Sequence, residues 1–281
     1  MEPTHTLIQL TDLHVDAPGA PSGRGVDTID VVERALRAVE EAAARPDALV
    51  FTGDLTEHGD PDEYRRLRAV LEPVAARLGV PAVFAAGNHD DRAALREHLL
   101  GEQPSTAPLD HAVRIGDLRI VVLDSTVPGK AYGELTTEQL DWLRAELAEP
   151  APAGTVLALH HPPLPSTSAF IESIELQHRA ELAAAIEGTD VRIVLAGHTH
   201  VVSAGTLTGV PVWTGGAITF QVSALPPAGL RNVRTPTVSR IDLFADAVLA
   251  AGVPFDADVV QAVAPAELDA MVDRFRAELP A

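Results

Sequence analysis

Leu49-Val50-Phe51-Thr52-Gly53-Asp54-Leu55 is an apolar run broken first by a glycine and then by a single carboxylate. Residues 47–52 read as a buried strand that empties into a tight turn and presents Asp54 at its carboxyl end. In open α/β sheets, ligands bind in the crevice beyond the carboxyl ends of the strands, so an acid there is placed for chemistry. A Gly-Asp pair also opens ordinary turns and helix caps, and only its companions can separate the two uses.

Those companions stand at equivalent places along the chain. A first strand, 7–10, ends at Thr11-Asp12-Leu13-His14; in extended backbone, positions i and i+2 point the same way, so Asp12 and His14 could reach one ion. A third strand, 80–86, runs into Gly87-Asn88-His89-Asp90-Asp91, an unusually polar sequence to follow an apolar strand. The strand 155–159 ends in His160-His161-Pro162-Pro163, whose prolines stop the strand and stiffen its exit; His160 is the candidate ligand and His161 its neighbour. The strand 191–196 ends in Gly197-His198-Thr199-His200, two imidazoles suited to one ion each if two ions lie about 4 Å apart. With these partners Asp54 reads as a bridge between two metal ions. Asp124 also follows an apolar strand but lacks a glycine and nitrogen partners, so it reads as a supporting or turn residue, and His58 as a loop histidine.

The rest of the chain narrows the chemistry. A length of 281 residues fits one large α/β domain, 1–281, with a motif-bearing core at 7–222 and C-terminal strands and helix at 237–279. The formal net charge of -19 argues against wide contact with a nucleic-acid backbone or an anionic membrane surface, so no stable nucleic-acid binding is expected. A phosphate-bearing substrate would need local positive charge, which metal ions can supply. The absence of cysteine excludes disulfides, thiolate nucleophiles and sulfur-ligated zinc, leaving nitrogen and oxygen as metal donors. With neither an apolar leader nor a run of membrane-spanning length, a cytoplasmic protein is the expectation.

Helices are expected between these strands. Ile29, Val32, Leu36 and Val39 repeat at helical spacing, and Asp60-Pro61-Asp62-Glu63 is a well-formed helix start. Pro73 should kink or interrupt that second helix. Further helices are expected at 92–100, at 137–147 and through Leu182 and Ile186. A primed-type hairpin should join 113–115 to 118–123. Residues 19–25 read as a loop, and 165–172 as a loop that could cover a substrate pocket. Strands are expected at 203–207, 210–214, 218–222 and 238–244, with a long loop at 225–236. A last helix from Pro265 carries Leu268, Met271, Val272, Phe275 and Leu279 as one apolar stripe, the pattern of a core face.

Taken in order, Asp12-x-His14, Gly53-Asp54, Gly87-Asn88-His89-Asp90, His160 and Gly197-His198-x-His200 resemble the five-block signature of the calcineurin-like metallophosphoesterase superfamily. The segments 51–55, 87–92, 107–110 and 159–163 further resemble the class III cyclic nucleotide phosphodiesterases of actinobacteria. The resemblance implies a four-layered αββα sandwich of two mixed β-sheets flanked by helices, with a binuclear metal centre at the strand ends. It assigns Asp12, His14, Asp54 and His200 to one metal and Asp54, Asn88, His160 and His198 to the other, with His89 catalytic beside the phosphate. Two ions sharing Asp54 can share a water whose pKa falls, so hydroxide becomes available for in-line attack on phosphorus. Iron, manganese and zinc all suit such donors.

The activity implied is hydrolysis of a small-molecule phosphodiester, with 3′,5′- or 2′,3′-cyclic AMP as the expected substrate. The same superfamily includes phosphomonoesterases and glycerophosphodiesterases, and a non-catalytic metal-bound partner-binding protein is the alternative of another class. Members of the related subgroup suggest a homodimer.

Overall fold

The computed structural model describes residues 2–19, 27–166, 168–226 and 229–276; most of the expected 19–25 loop, and Leu279 of the C-terminal stripe, lie outside them. In chain order the first half is β1 (His5–Leu10), α1 (Thr28–Glu41), β2 (Ala48–Thr52), α2 (Pro61–Leu78), β3 (Ala82–Ala85), α3 (Arg92–Ala94), β4 (His111–Ile115), β5 (Leu118–Val122) and α4 (Thr137–Leu147). The second half is β6 (Thr155–Ala158), α5 (Ala169–Glu172), α6 (Arg179–Ile186), β7 (Val191–Ala196), β8 (Ser203–Leu207), β9 (Val210–Thr214), β10 (Gln221–Val222), β11 (Asn232–Val233), β12 (Thr237–Leu243), β13 (Val248–Pro254) and α7 (Pro265–Arg276).

Two large mixed sheets result, ordered β13-β12-β1-β2-β3 and β4-β5-β6-β7-β9-β8, with β10 and β11 forming a small ribbon. In the first sheet β1, β2 and β3 are parallel and the late strand β12 returns antiparallel beside β1. In the second, β5, β6, β7 and β9 are parallel.

Alternation along the strands explains the layering. Leu49 and Phe51 pack with Leu36, Leu67 and Leu71 of α1 and α2, whereas Ala48 and Val50 pack with Ile120, Val122, Val156 and Ile193 of the other sheet. Val121 and Leu157 in turn meet Leu140, Leu143, Leu182 and Ile186 of α4 and α6. Each central strand is apolar on both faces because one face meets helices and the other meets the second sheet. The outcome is the expected four-layered αββα sandwich.

Several local expectations need correction. Pro73 does not break α2, which continues to Gly79. Pro73 and Ala69, whose carbonyl loses its helical partner, both lie on the exposed side, where that carbonyl can be hydrated. The helix expected at 92–100 is α-helical only for its first turn and continues as a π-helix, Leu95–Leu100, closed by the Gly101 N–H on the Arg96 carbonyl. The 165–172 loop contains α5, the strand expected at 218–222 shrinks to β10, and β13 was not anticipated. The stripe of α7 is not core: no described residue of the helix is buried, and Leu268 and Phe275 are half exposed.

Candidate metal centre

Every junction singled out in the sequence arrives at one place. Asp12 and His14 follow β1, Asp54 follows β2, Asn88 and His89 follow β3, His160 follows β6, and His198 and His200 follow β7. Gln9 ties the two sheets together just behind them, its Nε2 donating to Thr52 Oγ1 at 2.9 Å and to the Ala196 carbonyl at 2.8 Å. Backbone approach is close: a Cβ on Gly87 would overlap Asp54, and one on Gly53 would overlap the His160 ring.

Four of these side chains, Asp12, His14, Asp54 and His200, converge as one buried group. His14 Nε2 lies 3.1 Å from His200 Nε2 and 3.6 Å from Asp54 Oδ2, and His200 Nε2 lies 3.3 Å from Asp12 Oδ1. Around His160 Nε2 stand Asp54 Oδ1 at 3.3 Å, Asn88 Oδ1 at 3.2 Å and His198 Nδ1 at 3.2 Å. Asp54 thus offers one oxygen to each group.

The remaining ring nitrogens fix which atoms carry lone pairs. His160 Nδ1 sits 2.8 Å from the Thr52 carbonyl, His200 Nδ1 2.9 Å from that of Phe220 and His198 Nε2 2.8 Å from that of Ile174. A carbonyl only accepts, so each of these nitrogens holds the proton and the opposite nitrogen turns its lone pair inward. His14 Nδ1 is likewise held, 2.8 Å from Glu57 Oε2. Imidazole, carboxylate and amide lone pairs converging in two groups that share Asp54 fit two cations of the manganese, iron or zinc kind.

Charge points the same way. Burial pushes Asp12 and Asp54 up, but the surrounding imidazoles outweigh it, holding Asp12 at about 2 and Asp54 well below the usual carboxylate range. Burial pushes His160 and His200 down, yet the carboxylates facing them raise both, Asp54 for His160 and Asp12 for His200. Their inward lone pairs are therefore strongly drawn to positive charge. His198 is pushed down to about 3 by burial and by His160.

The expectation that Asp12 and His14 share a direction through extended backbone is incorrect. Both are left-handed, at φ 54° and 47°, as are Asp54 at 48°, His198 at 71° and His200 at 55°. Each such non-glycine residue costs on the order of 1–3 kcal/mol, and clusters of them mark functional sites. Asp12, Asp54 and His198 each take this conformation two positions after the last residue of β1, β2 and β7.

His89 lies at the edge of the first group: its backbone N–H donates to Asp54 Oδ1 at 3.0 Å, its Nδ1 sits 2.8 Å from the Glu57 carbonyl, and its ring packs edge-on to His14. His161 is buried beside His198, but its Nε2 donates to the Ala131 carbonyl and its Nδ1 meets Ser125 Oγ at 2.8 Å, so both nitrogens are occupied within the protein. Burial first, then His198 and His160, keeps it neutral. Asp90 is a strut between junctions, accepting the N–H groups of Gly87 and Leu55 and the Tyr64 hydroxyl. Asp124 supports rather than binds, pairing with Arg92 Nε at 2.7 Å. His58 is outside, its ring 2.8 Å from Glu63. Glu57 went unrecognised in the sequence; its place three residues after Asp54 was the available signal.

Residues 5–202 match the family model described as calcineurin-like phosphoesterase. The chain is 45% identical over 227 residues to a cAMP/cGMP dual specificity phosphodiesterase of Mycobacterium tuberculosis, covering 81% of this chain and 71% of the relative. It is 47% identical over 210 residues to a "probable cyclic nucleotide phosphodiesterase" of Rhodococcus erythropolis, covering 75% and 69%. Among solved structures, a dimetal phosphatase from Danio rerio aligns with a TM-score of 0.65 at 17% identity over 92% of this chain and 98% of that one, a likeness of fold alone.

Proposed function

The chain belongs to the calcineurin-like phosphoesterase family, and we propose that it hydrolyses cyclic nucleotides at a dinuclear centre held by Asp12, His14, Asp54, Asn88, His160, His198 and His200. The observation that carries this is Asp54, whose Oδ2 faces His14 and whose Oδ1 faces His160, a bridging carboxylate between two donor groups. The sequence relatives named for cAMP and cGMP support the substrate class. When bound, two divalent ions supply an acidified water and neutralise phosphate oxygens.

The chain's own residues do the rest. The His89 N–H orients Asp54, and the Glu57 carbonyl accepts from His89 Nδ1 and fixes the ring, so that the imidazolium form of His89 would give its Nε2 proton to the leaving oxygen. The carbonyls of Thr52, Phe220 and Ile174 hold the ligand imidazoles in one tautomer. Iron, manganese or zinc is the metal proposed. No helix among the described residues is long and apolar enough to cross a membrane.

Metal content per chain, measured together with turnover of 3′,5′-cyclic AMP, 2′,3′-cyclic AMP, an aryl phosphodiester and an aryl phosphomonoester in manganese, tests the proposal. Two ions per chain and preference for a cyclic diester are expected; faster cleavage of the monoester than of every diester would overturn it. A homodimer is proposed from the subgroup resemblance, and light scattering at the monomer mass would remove it.

A further inference from the structure

A cavity of about 670 Å³ shares its wall with the metal centre. Thr199, between His198 and His200, lines it, and so does Glu175, whose neighbour Ile174 holds the His198 ring. The volume is that of a small-molecule site. Leu164, Ile171 and Val222 make the walls apolar, and Phe170 and Leu230, more than half exposed, leave flat apolar area open to a planar ring.

Two polar atoms on residues lining this cavity are buried and have no hydrogen-bond partner among the described residues: Glu175 Oε2 and Thr214 Oγ1. Glu175 is 4% exposed and Thr214 fully buried. Buried polar atoms without partners are rare and costly, and two at one apolar cavity call for a ligand that supplies the missing bonds. Glu175 is also firmly seated. Its carbonyl accepts the Gly133 N–H at 3.3 Å and Gln177 Nε2 at 3.0 Å, and the Gln177 N–H donates to Gly133 at 2.8 Å. Gly133 packs against the His161 ring with no room for a Cβ.

The neighbouring carboxyl settles which kind of bond is missing. Glu172 is held low by the Ser166 N–H, which donates to it at 2.7 Å, and then by Arg179 at 3.1 Å. Burial first, then Glu172, pushes Glu175 up to about 8, so near neutral pH it keeps a proton and shares it with Glu172. With that proton engaged, the unpartnered Oε2 is an acceptor and needs an N–H donor.

We propose that this cavity takes the nucleobase of a cyclic nucleotide whose phosphate lies at the metal centre, Glu175 Oε2 accepting from an exocyclic amino group and Thr214 Oγ1 donating to a ring nitrogen. This rests on the cyclic nucleotide reading above and adds the residues that choose the base.

The test compares three substrates on the metal-loaded enzyme: 3′,5′-cyclic AMP, the cyclic monophosphate of purine riboside, which lacks the amino group, and bis(4-nitrophenyl) phosphate. The wild type should favour cyclic AMP over the deamino analogue by about tenfold in kcat/KM, roughly the value of one hydrogen bond. Glu175→Leu should abolish that preference through KM and lose far more on cyclic AMP than on the aryl diester. Thr214→Val should weaken both purine nucleotides together relative to the aryl diester. Equal use of the two purines by the wild type would overturn the proposal, as would an equal loss on all three substrates in Glu175→Leu. If Glu175→Leu does not fold, the wild-type comparison and Thr214→Val decide. Cleavage of the aryl diester with neither cyclic nucleotide would instead sink the cyclic nucleotide reading, a result distinct from cleavage without base preference.

Discussion

Gly87 and Asp54 are packed backbone against side chain so tightly that a Cβ on Gly87 would overlap both the Asp54 amide nitrogen and Oδ1. The junction after β3 therefore reaches the Asp54 carboxylate only because Gly87 has no side chain. Gly87→Ala should displace Asp54, lower stability by about 1–3 kcal/mol, as overpacking does, and reduce bound metal below two per chain. Denaturant unfolding and metal analysis of the same preparation check both; full metal content in a folded variant would contradict the packing.

His89 and His160 should separate chemistry from ligation. His89→Ala keeps the backbone N–H on Asp54 and removes only the ring, so two ions should remain while turnover falls by about 10²–10⁴. His160→Ala takes away the atom around which Asp54, Asn88 and His198 gather, and one ion should be lost. An unchanged rate in His89→Ala would remove it from the catalytic role.

Arg92 is the counter-charge of the fully buried Asp124, and it also donates to the Thr126 carbonyl. Arg92→Ala leaves that carboxylate hydrogen-bonded by Leu109 and Thr126 but without its counter-charge, and should cost about 3–5 kcal/mol. Arg92→Ala combined with Asp124→Asn should recover part of the loss in urea unfolding. Additive losses would show the pair is not coupled.

Stability should carry a signature of Glu175. Its folded pKa, about 8, lies above the ordinary 4.5, so between these values the unfolded chain has released a proton that the folded chain keeps. The folded state is thus favoured least at high pH: the contribution of this group falls as pH rises from about 4.5 to about 8 and is flat beyond. Glu175→Gln has no such proton, and its melting temperature relative to wild type should climb across that window and then level off. A constant difference from pH 5 to 9 would refute the assignment.

Much of the fold was legible because apolar strands, capping residues and tight turns are local. The helix start at Asp60, the α4 boundaries and the strands β8 and β9 appear where capping residues and periodicity place them. Where sequence reading failed, the deciding partner was remote. β12 ends at Leu243, and β13 pairs along the whole of it, yet the alanine-rich run 247–252 has no strand signal of its own. The α7 stripe looks like a core face because periodicity records amphipathicity and not what lies opposite it. The shared direction of Asp12 and His14 was anticipated from extended geometry, but their left-handed backbone is held by long-range bonds, Asp12 N–H to the Gly53 carbonyl and His14 N–H to that of Asp54.

By itself the sequence determined the chemical inventory: nitrogen and oxygen donors behind glycines at strand ends, no thiol, and an acidic chain. Those properties are local, carried by residue type and spacing. Tertiary structure alone decided that Asp54 turns one oxygen to His14 and the other to His160, that Glu57 stands behind His14, and that Glu175 and Thr214 meet at one cavity. These relations join residues up to 106 positions apart, as between Asp54 and His160, and depend on how two sheets settle against each other, which no stretch of chain encodes on its own.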